Sequence, residues 1–141
     1  MMRDRRITRR QFLRGSAAVA AFTFVPRQVL GGPKFVAPSE KLNIACIGVG
    51  GMGSSDVGQF AGENIVALCD VDWRHAAGTF ERFPNARKYR DFRKMLDTED
   101  KNIDAVSVST PDNIHAVASM AAIKRNKHVY CQKPLCHDVY E

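Results

Sequence analysis

The chain has 141 residues, 45% of them hydrophobic and 26% charged, with a formal net charge of +6. That length suits one domain. The charge is local: residues 1–37 hold eight Lys/Arg against one Asp, and the remainder is close to neutral, so a basic nucleic-acid-binding surface is excluded as its meaning.

The basic segment opens the chain. Thr8-Arg9-Arg10-Gln11-Phe12-Leu13-Arg14 is a twin-arginine pattern, followed by an apolar run from Ala17 to Val25. Nine residues are too few for a bilayer span, which takes about 20. The segment therefore reads as a twin-arginine signal peptide. Its expected partner is the export machinery for folded proteins, its destination the periplasm, and its only membrane contact the leader itself. Processing is expected between Val25 and Ser39, with retention as an anchor left open. Pro26 to Ser39 carries three prolines and two glycines and reads as a linker. The organisation expected is residues 1–37 as signal peptide and linker and residues 38–141 as a folded domain.

Strands and helices then alternate. Leu42 to Ile47 reads as a strand and about Met52 to Ala61 as a helix. Ile65 to Cys69 reads as a strand, Arg74 to Arg82 as a helix stopped before Pro84, and Arg87 to Tyr89 as a short strand. Asp91 is placed to cap a helix whose apolar face is Phe92, Met95 and Leu96. Asp104 to Ser109 is a strand, and Pro111 to Arg125 a helix with Asn126 where a left-handed residue is wanted. His128 to Cys131 is the fifth strand. The alternation predicts an α/β fold, a doubly wound parallel sheet of five visible strands in the order 3-2-1-4-5.

The first strand runs straight into Gly48, Gly50 and Gly53, a G-x-G-x-x-G, and Asp70 closes the second strand. This is the Rossmann fingerprint of a dinucleotide site. Gly48 permits a tight turn, Gly50 lets a pyrophosphate approach bare backbone, and Gly53 lets the helix lie close to the strand. Gly51 and Met52 complete the phosphate loop at a helix N-terminus, whose free N–H groups favour anions. Asp70 is expected to accept the adenosine ribose hydroxyls, with Asp72 as second choice. A carboxylate there favours NAD over NADP by repelling a 2′-phosphate, although Arg74 leaves NADP possible.

No C-x-x-C and no spacing of His, Cys or carboxylates argues for a metal. Cys46, Cys69 and Cys131 read as small core residues at strand positions. His75, His128 and His137 read as structural, and Trp73 either as packing or as lying along the adenine.

Three landmarks fall at one sheet edge: Gly48–Gly53, the run Thr110-Pro111-Asp112-Asn113-Ile114-His115, and Gln132-Lys133-Pro134. Together they resemble the Gfo/Idh/MocA oxidoreductases, from about Lys41 to the end of the chain. The resemblance implies that Thr110 and Pro111 line the nicotinamide half and that Asn113 and His115 lie near its ribose. Local helix-start roles for Asn113 and His115 remain alternatives. It assigns Lys133 as the catalytic residue, contacting the nicotinamide ribose and the reacting hydroxyl, and Pro134 as the residue shaping its turn. The family pattern is Glu-Lys-Pro, so Gln132 is a departure: the amide keeps the hydrogen-bonding shape and loses the charge.

The implied activity is hydride transfer between a nicotinamide cofactor, NAD, and a sugar, polyol or related hydroxy compound. The cofactor is expected to be held tightly and loaded before export. Two alternatives stay open: an NAD-dependent glycoside hydrolase working through transient oxidation, and a non-catalytic NAD-binding member. The family's second domain is expected to lie beyond this sequence, with the complete protein a homo-oligomer.

Overall fold

A computed structural model describes residues 36–140. The leader and the arginine motif lie outside the described residues. The short 3-10 turn Pro38–Glu40 belongs to a unit separate from the compact unit Lys41–Glu141, which is the one that follows.

Five strands, β1 (Asn43–Ile47), β2 (Asn64–Cys69), β3 (Arg87–Tyr89), β4 (Ala105–Val108) and β5 (His128–Cys131), form one sheet in the order β3-β2-β1-β4-β5. Every pair is parallel. The helices are α1 (Met52–Gln59), α2 (Ala77–Arg82), α3 (Phe92–Glu99) and α4 (Asp112–Ile123). The expected Rossmann arrangement is present, with its crossover between β1 and β4.

The period of two along β1 divides the core. Ile44 and Cys46 pack on one face with Leu68, Val57 of α1 and Phe80 of α2. Ala45 and Ile47 pack on the other with Met95 and Leu96 of α3 and Ala118 and Ala122 of α4. Both faces are covered, so β1 is buried throughout except at Asn43. Burial pushes the Cys46 and Cys69 thiols up to about 12, which keeps them as inert apolar packing. Cys131 is half-buried, and all four cysteines are free thiols.

Local chemistry sets the helix ends. Asp91 caps α3, its side chain accepting from Arg93 N at 2.9 Å. Asn126 takes the left-handed conformation, φ 58°, beyond α4. Helix α2 begins at Ala77 rather than at Arg74, because Asp72 Oδ1 accepts the N–H groups of Arg74 and His75 and holds that stretch as a turn. Helix α1 stops at Gln59 rather than Ala61, and residues 60–62 turn toward β2.

Glu99 is a buried charge, 2% exposed. Its Oε1 accepts from Tyr89 Oη at 2.5 Å and Arg87 at 2.6 Å, and its Oε2 from Asn102 at 3.1 Å. Burial pushes its pKa up, but the hydrogen bonds from Tyr89, Asn102 and Arg87 outweigh it and hold the carboxyl below its usual range. A group held low stabilises the fold above its unfolded-state value and loses that contribution as pH falls through the folded-state value. Glu99→Gln is therefore expected to cost about 1–2 kcal/mol near neutral pH. The deficit shrinks as pH drops below about 4, and urea unfolding at the two pH values checks it.

Candidate functional site

The C-terminal ends of β1, β2 and β4 open onto a cleft of about 890 Å³, lined among others by Gly48, Gly50, Asp70, His75, Arg90, Ser109 and Thr110. Its floor is the turn from Gly48 to Gly53. Gly48 has φ +76°, and a Cβ there would meet Ser109 O at 2.6 Å. A Cβ on Gly53 would lie 1.9 Å from Gly48 O, so the strand-to-helix passage has no room for a side chain at either place. Helix α1 has Gly51 at its N-cap and so no side-chain cap. Its first N–H groups therefore have no side-chain acceptor, which is the condition an anion site needs.

Asp70 holds this turn. Its Oδ2 accepts from Val49 N at 2.9 Å and Gly50 N at 3.0 Å, and its Oδ1 from Asp72 N at 2.9 Å. A carboxylate offers about four acceptor positions, so one remains for a hydroxyl donor from the cleft. Asp70 is thus both a loop tie and a candidate ribose ligand. Asp72, the second choice, spends one oxygen on the turn that precedes α2. Thr79 secures the turn from beneath, its Oγ1 2.7 Å from Val49 O and 2.9 Å from Ser54 Oγ.

Beyond Asp70, Trp73 packs edge-on against Phe80 with a centroid distance of 5.5 Å, and the Arg90 guanidinium sits 4.8 Å over its ring. This aromatic–cation pair lies beyond Asp70, lining a smaller pocket with Val71, Asp72 and Arg74.

At the other end Thr110, Pro111 and Asn113 line the cleft. His115 does not line it. The ring is 2% exposed, with Nδ1 2.6 Å from Pro134 O and Nε2 2.7 Å from Thr110 O. Both nitrogens donate only in the imidazolium form. His115 clips the loop after β4 to the turn after β5, and so brings Pro134 and its neighbour Lys133 to the Thr110 end. The Lys133–Pro134 bond is cis. Lys133 is exposed, Met52 is 69% exposed, and Gly53 is buried beneath the turn.

Gln132 has a partner that the spacing of its own motif does not signal. Its Nε2 donates to Asp56 Oδ2 at 3.1 Å, its Oε1 accepts from Lys133 N at 2.9 Å, and Ser109 Oγ donates to the same Asp56 oxygen at 2.7 Å. Asp56 lies one turn beyond Gly53 on α1, facing β4 and β5. An amide satisfies both neighbours. A glutamate would set two carboxylates about 3 Å apart, where both cannot stay ionised. Gln132→Glu is therefore expected to destabilise by about 1–3 kcal/mol at neutral pH. The shared proton means that the deficit shrinks on acidification, and Asp56→Asn in the same chain restores stability. Thermal unfolding of the single and double variants checks this.

Among the described residues no group of His, Cys, Asp and Glu is arranged to hold a metal ion, and no helix is long and apolar enough to cross a membrane.

A parallel sheet with a glycine turn at its switch point and an acid at the end of β2 defines a dinucleotide-binding protein. Residues 42–141 match the Gfo/Idh/MocA family, described as an oxidoreductase family with an NAD-binding Rossmann fold, and residues 6–26 match the twin-arginine translocation signal sequence. The chain belongs to the Gfo/Idh/MocA oxidoreductases and carries a signal for export by the twin-arginine route. It is 29% identical over 99 residues to the inositol 2-dehydrogenase of Salmonella typhimurium, covering 67% of this chain and 29% of that protein. It is 32% identical over 101 residues to that of Rubrobacter xylanophilus, covering 69% and 28%. The crystal structure of myo-inositol dehydrogenase from Lactobacillus casei, in complex with NAD(H) and myo-inositol, superposes with a TM-score of 0.61 at 29% identity, covering 68% of this chain and 29% of that one. The chain therefore spans less than a third of the length of these relatives.

Proposed function

We propose that this chain is the coenzyme-binding part of an exported, periplasmic NAD-dependent dehydrogenase that oxidises a hydroxyl of a polyol or sugar. One observation carries the reading: the cleft joins a bare glycine turn and Asp70 at one end to Thr110, Pro111 and Asn113 at the other, with Lys133 tied beside them through His115. The inositol dehydrogenases among its relatives support the polyol class.

In this reading Gly48, Gly50, Gly51, Met52 and Gly53 receive the diphosphate, and Asp70 accepts a hydroxyl of the adenosine ribose. Thr110, Pro111 and Asn113 border the nicotinamide half. His115 and Pro134 hold the two nicotinamide-side loops in register. When bound, the nicotinamide supplies a hydride acceptor. Lys133 Nζ takes the proton of the substrate hydroxyl. Asp70 disfavours a 2′-phosphate, so NAD is preferred over NADP.

The test is to express the whole coding sequence with its leader, purify the protein from the periplasm, and assay it with NAD and a panel of inositols and sugars. The expected result is bound nucleotide in the purified protein and NADH formed with at least one polyol. A nucleotide-free protein that reduces NAD with none of them contradicts the proposal.

A further inference from the structure

His75, which the sequence leaves as a structural residue, is exposed and lies on the glycine turn. A Cβ built on Gly50 would fall 2.2 Å from His75 Cδ2, and one built on Gly51 3.0 Å from its Nε2. The imidazole therefore rests against the bare main chain of Gly50 and reaches to Gly51, at the uncapped start of α1. It lines the same cleft as Gly48 and Asp70.

The segment that carries it is fixed. Asp70 Oδ1 accepts from Asp72 N, Asp72 Oδ1 accepts from His75 N at 3.3 Å, and Ala76 N donates to Asp72 O at 3.0 Å. Neither ring nitrogen hydrogen-bonds to another described residue. A donor is thus held above the glycine turn proposed to seat a diphosphate, with no hydrogen-bond acceptor among the described residues.

We propose that His75 is a cofactor-contact residue: its imidazole donates to the dinucleotide diphosphate, and as the imidazolium it makes dinucleotide binding tighten on acidification. The inference rests on the dinucleotide reading of the cleft and adds to it a residue and a pH dependence.

The charged groups that line the cleft with His75 are Asp70, Asp72, Arg90, Asp91 and Arg93, and Arg74 precedes it in the chain. The Gly48–Gly53 turn brings none. Carboxylates and guanidiniums keep their charge between about pH 5.5 and about pH 8.5, and the Cys69 thiol, raised to about 12, stays neutral there. Histidine is the side chain that changes charge in that window, and His75 is the one histidine among the residues lining the cleft. A hydrogen bond to a doubly charged diphosphate is stronger from a cation than from a neutral ring. Export by the twin-arginine route gives this relevance, because the cofactor would then have to be retained in a compartment whose pH follows the surroundings.

The experiment is calorimetric titration of the full chain, stripped of ligand, with NAD, ADP-ribose and adenosine at about pH 5.5 and about pH 8.5. The expected result is about tenfold tighter binding of NAD and ADP-ribose at the lower pH, with no such change for adenosine, which lacks the diphosphate. His75→Gln keeps a neutral donor and is expected to hold the high-pH affinity while losing the tightening. His75→Ala is expected to weaken NAD about tenfold at the lower pH and much less at the higher. Tightening that survives in both variants, or that adenosine shows equally, overturns the proposal and leaves the dinucleotide reading standing. Binding of NAD at neither pH by the folded wild-type chain overturns both.

Discussion

Gly53→Ala is expected to abolish NAD binding and to destabilise the domain by about 3 kcal/mol or more. On helix propensity alone the change would be favourable, since alanine exceeds glycine by about 1 kcal/mol inside a helix. Contact reverses that sign. The added Cβ would fall 1.9 Å from Gly48 O and 2.8 Å from Gly48 C, both main-chain atoms of the turn itself. Neither can move without breaking the bond from Gly48 N to Cys69 O, 2.9 Å, or displacing Val49 and Gly50 from Asp70. The control is Gly78→Ala in α2, where a Cβ meets nothing within 4 Å. It should stabilise by about 0.5–1 kcal/mol. Urea unfolding of the two variants, beside NAD titrations, checks the pair. Equal effects of the two changes would mean that the turn does not make this close approach.

Lys133→Ala is expected to lower kcat by about 10²–10⁴-fold in the complete protein, with NAD affinity changed by less than about fivefold. The reason is positional. Lys133 sits on a turn fixed from two sides, by Gln132 Oε1 on its own N–H and by His115 on the carbonyl of Pro134. The lysine side chain itself has no part in the glycine turn or in the Asp70 contacts with it, where the adenosine half is proposed to sit. Removing the amine should therefore cost proton transfer and not cofactor binding. Lys133→Arg keeps the charge but not an amine able to take a proton near neutral pH, so it should not restore the rate. Steady-state kinetics with the best polyol substrate, beside NAD titration, separates the two. An unchanged kcat would remove Lys133 from the chemistry.

The order of elements and the glycine turn and acid of the candidate site were legible because each carries a local signal. Gly48, Gly50 and Gly53 follow an apolar strand, Asp70 ends the next, and Asp91 and Asn126 stand where a cap and a left-handed residue belong. What the sequence hid are contacts between residues far apart in it. Asp56 and Gln132 are 76 positions apart and meet only once β1, β4 and β5 are adjacent. That pairing gives the departure from Glu-Lys-Pro a physical reason: an amide is the group that can face Asp56 and Lys133 N together. The contact of His75 with the glycine turn was hidden for a similar reason: only the turn set by Asp72 lays its ring on Gly50. Asp70 was legible as a cleft acid, but its hydrogen bonds to Val49 and Gly50 require the two strand ends to be side by side. The turn at Asp72 also explains why α2 starts at Ala77, three residues later than the sequence predicts.

The central expectation is a dinucleotide seated across the glycine turn with its adenosine ribose at Asp70. Titration of the folded, ligand-free chain with NAD and NADP, for wild type and for Asp70→Ala, tests this most directly. One site that binds NAD more tightly than NADP, with that preference lost in Asp70→Ala, is the result predicted. A folded wild-type chain that takes up neither nucleotide would contradict it.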